Sequence, residues 1–128
     1  MNREIKFRAW DNIVKRMFIP SMINADGDVR HTWDGGETWL LKSTKSFVLM
    51  QFTGLIDKNG VDIYEGDIIE LGGGDIVQIQ FKNGGFGWIS ALDGESFIGF
   101  AGHNHFSLVI IHIKVIGNIY ENPDRLKV

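Results

Sequence analysis

The chain of 128 residues contains no cysteine. Disulfides, thiol nucleophiles and thiolate metal sites are therefore excluded, and an intracellular setting is the default. Proline is nearly absent, at 2 residues. No charge of one sign dominates, since 13 Lys and Arg stand against 16 Asp and Glu for a formal net charge of −3. That balance disfavours attachment to nucleic acid by bulk charge, which depends on clustered Lys and Arg releasing counterions. Long apolar runs are also missing. The longest extends from Leu108 to Ile116, with His112 and Lys114 inside it, well short of the roughly 20 residues of a membrane-spanning helix. The first residues alternate charged and apolar groups, so neither a secretory signal nor a membrane anchor is expected. Finally, no window of a dozen residues carries apolar groups at i, i+3, i+4 and i+7, which argues against a long amphipathic helix.

What is present points to strands. Glycine occurs 16 times and separates short apolar segments, the pattern of strands joined by tight turns. With 44% hydrophobic and 12% aromatic residues, a chain of this size buries a core of its own and does not stay disordered. Residues 4–10 place Ile5, Phe7 and Ala9 on one side and Glu4, Lys6, Arg8 and Trp10 on the other, as a half-buried strand does. Asp11-Asn12 signals a turn, residues 14–19 resume an extended pattern, and the two segments are predicted to pair as a hairpin until Pro20 removes a donor. Residues 24–36 read as loop. Residues 37–42 fit either a strand or a short helix, and residues 47–52 fit a buried strand.

The clearest local signal covers residues 54–71. Asp57-Lys58-Asn59-Gly60 reads as a tight turn with Gly60 supplying positive φ. Gly66 permits a sharp bend, and Asp67 is placed to bond backbone N–H groups downstream while Ile68–Leu71 forms a strand. Gly72–Asp75 reads as a hairpin tip, with residues 76–81 pairing back on 67–71. Residues 86–89 and 97–100 follow as strands, and residues 108–119 close the sheet with a bend at Gly117. The expected fold is mainly β: a small SH3-like antiparallel barrel over 54–128, with an N-terminal β segment or lobe over 1–53, the two forming separate units or one.

Three blocks together resemble a known family. They are Arg3-Glu4-Ile5-Lys6-Phe7-Arg8-Ala9-Trp10-Asp11; Gln51-Phe52-Thr53-Gly54-Leu55-Ile56-Asp57-Lys58-Asn59-Gly60 running on to Ile63-Tyr64-Glu65-Gly66-Asp67-Ile68-Ile69; and Val115-Ile116-Gly117-Asn118-Ile119-Tyr120-Glu121-Asn122-Pro123. In this order and spacing the chain resembles the YopX family of phage and prophage proteins. The resemblance implies a phage or prophage origin, a mostly β domain and expression in the cytoplasm of a bacterial host. It implies no catalytic residues.

Candidate chemistry is sparse. His103 and His105, two apart on one strand face, could hold a metal with His112 or His31, but a solvated loop explains them better. Asp57, Asp62, Glu65 and Asp67 lie within eleven residues and could converge as an acid/base pair or a cation site. Carboxylates at turns more often cap the backbone, and Asp67 is expected to do so. The Gly72–Gly74 run lacks the Lys and Ser/Thr of a phosphate loop, and no Gly-x-Ser-x-Gly elbow surrounds Ser90 or Ser96. Aromatics carry more weight. Phe81 and Phe97 are expected inside, Trp10 and Trp33 exposed, and Phe86 or Trp88 beside a groove. Arg3, Lys6, Arg8, Lys15 and Arg16, on two paired strands, could make a basic face next to Trp10.

The expected function is a non-catalytic, cytoplasmic binding module that needs no cofactor or metal. Its partner is a host or phage protein or a second copy of itself. Its candidate contacts are Lys6, Arg8, Trp10, Trp33, Phe86 and Trp88, and its structural turns are at Gly60, Gly66, Asp67 and Gly117. The alternative is a single-stranded nucleic-acid-binding module built on the basic N-terminal face; a metal-dependent enzyme ranks third.

Overall fold

The protein's structure, a computed structural model, describes residues 4–25, 28–32, 38–41, 47–90, 93–99 and 112–126. These form thirteen strands: β1 (Phe7–Asp11), β2 (Arg16–Phe18), β3 (Met22–Ile23), β4 (Val29–Thr32), β5 (Thr38–Leu41), β6 (Phe47–Ile56), β7 (Asp62–Tyr64), β8 (Asp67–Glu70), β9 (Ile76–Gln78), β10 (Gln80–Lys82), β11 (Gly85–Ile89), β12 (Phe97–Gly99) and β13 (Lys114–Asn118). A 3-10 turn, Pro123–Leu126, follows. Among the described residues there is no α-helix, so the mainly β expectation holds. No helix among them is long and apolar enough to cross a membrane.

The chain divides into two compact units, one of Ile5–Gln51 and the other of Phe52–Val128 together with Met1–Glu4. In the first, β1 is a central strand. It pairs with β2 (Ala9 opposite Phe18, Asp11 opposite Arg16) and with the first half of β6 (Phe7 opposite Gln51, Asp11 opposite Phe47). The predicted N-terminal hairpin is thus present, although residues 12–15 form its turn and Val14 belongs to that turn instead of the strand. The core is Ala9, Phe18, Val29 and Phe47, with Ile23 and Leu49 packed against it. The ambiguous segment at 37–42 contains a strand: β5 pairs with β4 along its length, from Val29 opposite Leu41 to Thr32 opposite Thr38. Four residues are too few to stabilise a helix alone, whereas a ladder satisfies their backbone groups.

In the second unit β6 continues against β7, with Phe52 opposite Tyr64 and Ile56 opposite Asp62. Two three-stranded sheets follow, ordered β13-β8-β9 and β10-β11-β12. Their core is Ile63, Ile69, Val77, Ile79, Trp88 and Ile113. Each such side chain contributes on the order of 1.5–3 kcal/mol by leaving water.

The run 76–81, read as one strand, breaks in two. Ile79 lies at the break, fully buried, with its N–H donating to the Asp67 carbonyl and its carbonyl accepting from Gly66 N–H, both at 2.8 Å. Beyond it the chain leaves the β8 ladder and joins β11. That switch between sheets is consistent with an SH3-like barrel, and it turns Phe81 outward. Phe81 was expected inside but is 54% exposed, and Phe97 is half-buried. At the far end, β13 carries an irregularity between Val115 and Gly117, so the bend expected at Gly117 is present. A Cβ there would meet Asn122 Oδ1 at 2.6 Å, and Gly is the residue that leaves room for this approach.

Gly87, on β11, lies opposite Gly99 of β12. A Cβ at Gly87 would collide with the Ile98 carbonyl and the Gly99 backbone, atoms that cannot rotate away. Gly87→Ala is expected to cost about 1–3 kcal/mol. Gly73→Ala, where nothing lies within 4 Å, should change stability by about 0.5 kcal/mol or less. Urea denaturation of both variants checks this, and equal midpoints would remove the close approach as an explanation.

Candidate functional site

The carboxylates that the sequence gathers near residue 60 are held by backbone amides. Asp57 is buried. Its Oδ1 accepts hydrogen bonds from the N–H groups of Asn59 (2.8 Å) and Val61 (2.9 Å), and its Oδ2 from Val115 N–H at 2.9 Å, 58 positions away. Beside it, Lys58 N–H donates to the Ile113 carbonyl at 3.1 Å. One side chain thus shapes the β6–β7 turn and ties it to β13. Burial opposes its ionisation. The amides of Val115, Val61 and Asn59 and the Lys58 ammonium outweigh that opposition, so the carboxyl titrates below its ordinary value.

Asp67 is also buried, and its Oδ2 accepts from Tyr64 N–H at 2.8 Å. Its expected turn-holding role is present, but the amide it bonds lies upstream, because the bend at Gly66 folds the preceding strand back over the carboxylate. Gly66 has φ of 87° and its carbonyl accepts from Ile119 N–H at 3.0 Å. Gly60 has φ of 80° in the turn that Asp57 caps. Asn118 plays the same part at the end of β13. Its Oδ1 accepts from the N–H groups of Tyr120 (3.0 Å) and Glu121 (2.8 Å), and its Nδ2 donates to Glu121 Oε1 at 2.9 Å. In the 93–96 turn, the Ser96 hydroxyl, then the Ser96 and Glu95 amides, hold the exposed Asp93 carboxyl down to about 2. A carboxylate saturated with N–H donors is a weak base, so this set suits fixing turns better than moving protons. Among the described residues no group of three or more His, Asp or Glu is placed to hold a metal.

The predicted contact residues fall in both units and differ in exposure. Trp10 was expected exposed, yet it is 8% exposed. β1 is flanked on both sides, with Met17 and Val48 directly opposite Trp10. Lys6 and Arg8 are half-buried. Trp88 is 6% exposed and sits in the core with Ile69 and Val77. Phe86 is half-buried, and its ring meets that of Phe81 edge-to-face at 5.1 Å and 71°. Trp33, His103 and His105 lie outside the described residues.

Sequence reading missed two exposed features. One is Phe81 itself, on the outer strand of the β10-β11-β12 sheet. Its hairpin is closed by Asn83 (φ 55°) and Gly84 (φ 81°), a two-residue turn that holds the strands in register. The other is the tip of the β1–β2 hairpin, where Ile13 and Val14 point into solvent. The available signal was an aliphatic pair directly after Asp11-Asn12, at turn positions where polar residues are usual.

Comparison with known proteins adds lineage. The family described as YopX protein matches residues 6–127. The crystal structure of protein EF1440 from Enterococcus faecalis is 27% identical, with a TM-score of 0.66, covering 98% of this chain and 100% of that one. Protein yopX from Bacillus subtilis is 19% identical, with a TM-score of 0.62, covering 96% and 98%, and shares the fold. No curated protein matches.

The Asp57 carboxylate sets an acid limit on stability. Its folded-state pKa lies below the unfolded value, so its contribution is complete above the ordinary carboxylate range and is lost as pH falls through the folded value. Asp57→Asn, which turns an amide NH2 toward one of the backbone donors, should cost about 1–3 kcal/mol at neutral pH. The gap between wild type and variant should narrow from about pH 6 to about pH 3. Urea midpoints at the two pH values test this, and a gap of constant size would contradict it.

Proposed function

The chain belongs to the YopX family, and from that premise we propose that it is a phage- or prophage-encoded accessory protein of the bacterial cytoplasm that acts by binding another protein, without catalysis. The observation that carries this reading is the Phe81–Phe86 pair. Phe81 is 54% exposed and braced by a ring beneath it, on an outer strand whose hairpin is held by a tight turn. Aromatic side chains presented rigidly lose little conformational entropy on contact and are enriched at protein interfaces. The described turn carboxylates Asp57 and Asp67, by contrast, are buried and engaged by backbone amides. The nucleic-acid alternative relied on Trp10 as a stacking surface, and burial removes that surface.

The test uses the intact protein as bait in extract of phage-infected host cells, beside a Phe81→Ser variant. Phe81 is largely in water, so the substitution should cost about 1 kcal/mol or less in stability. A protein retained by the wild type, lost with the variant and indifferent to nuclease is the expected result. Capture that ignores the substitution, or that vanishes on nuclease treatment, would overturn the proposal.

A further inference from the structure

We infer that the tip of the β1–β2 hairpin docks on the 52–128 unit of a second copy of this chain. The tip is built, not slack. Buried Asp11 accepts the N–H groups of Ile13 (2.7 Å) and Val14 (3.0 Å) on Oδ1, and its carbonyl takes Lys15 N–H at 2.9 Å. Lys15 holds φ of 59°, a left-handed conformation that costs a residue with a Cβ about 1–2 kcal/mol. This framework presents Ile13 at 75% and Val14 at 53% exposure, with exposed Lys15 and Arg16 following. Two β-branched side chains in water at a fixed tip mark a contact surface, and the preorganised loop reduces the entropy lost on docking.

Charge selects the occupant. Residues 5–51 hold 7 Lys and Arg against 5 Asp and Glu, whereas residues 52–128 hold 5 against 10. A tip that is apolar and basic is therefore drawn to the acidic 52–128 unit of another copy and not to its own kind of unit. That unit carries exposed aliphatic groups of its own, Ile56 and Val61. Each copy has both a tip and an acidic unit, so two copies exchange the same contact twice. Reciprocity doubles the buried area, which one hairpin tip alone would leave small for a stable interface.

Sedimentation velocity across a micromolar to near-millimolar concentration series reads the association directly. The wild type is expected to shift from monomer to dimer. Ile13→Ser combined with Val14→Ser should raise the dissociation constant about tenfold or more, and Lys15→Glu about threefold or more. Circular dichroism and thermal melts establish that each variant is folded. A second measurement exploits the absence of cysteine: Ile13→Cys introduces the chain's single thiol, which takes a maleimide-benzophenone photocrosslinker. The crosslinked peptide should come from residues 52–128 of the other copy. A wild type that stays monomeric, tip variants that dimerise like the wild type, or crosslinks confined to residues 5–51 would each overturn the inference.

Discussion

The second unit depends on the buried carboxylate of Asp57. A turn of four residues and a strand 58 positions later meet at its two oxygens. Without it, the amides of Asn59, Val61 and Val115 would need other partners, and an unmet buried donor costs about 1–3 kcal/mol. The same solution recurs at Asp67, Asn118 and, in the first unit, Asp11, where a short polar side chain caps the backbone of a reversal. A fold made of two- to five-residue strands, with β6 longer, has many reversals and little ladder per strand. Local side-chain caps make up what the short ladders lack.

This reliance on caps explains why the recognisable blocks carry so little chemistry. Asp11, Asp57, Asp67 and Asn118, which a catalytic reading would choose, accept main-chain N–H groups. The blocks therefore describe how the chain folds. Outside the capping set, Phe81 at one hairpin and Ile13 and Val14 at another stay exposed. Both sit at tight turns: Asp11 accepts the amides of Ile13 and Val14, and Asn83 and Gly84 close the other hairpin at positive φ.

Glycine works with the caps. At Gly66 it permits the bend over which Asp67 reaches back to Tyr64, and at Gly87 it lets β12 approach β11 closely enough to pair. The break at Ile79 has a different origin. Its N–H and carbonyl face residues 66 and 67, and that local pairing carries the chain out of one sheet and into the next.

The mainly β character, the hairpin pairing of β1 with β2, the turns at Gly60 and Gly66 and the bend at Gly117 were legible from residue order; Asp67 was placed at its turn, but its amide partner, Tyr64, lies upstream and not downstream. Each follows from alternation, φ preference or side-chain reach over a few positions, and these act within a segment. The burial of Trp10, the core position of Trp88 and the outward turn of Phe81 were not legible. Alternation tells which residues share a face. Whether that face meets water depends on neighbouring strands brought from distant parts of the chain. Met17 and Val48 flank Trp10 across two ladders, and the kink at Ile79 reverses the expectation for Phe81. Local chemistry specified the turns, and long-range pairing decided which side chains remained exposed.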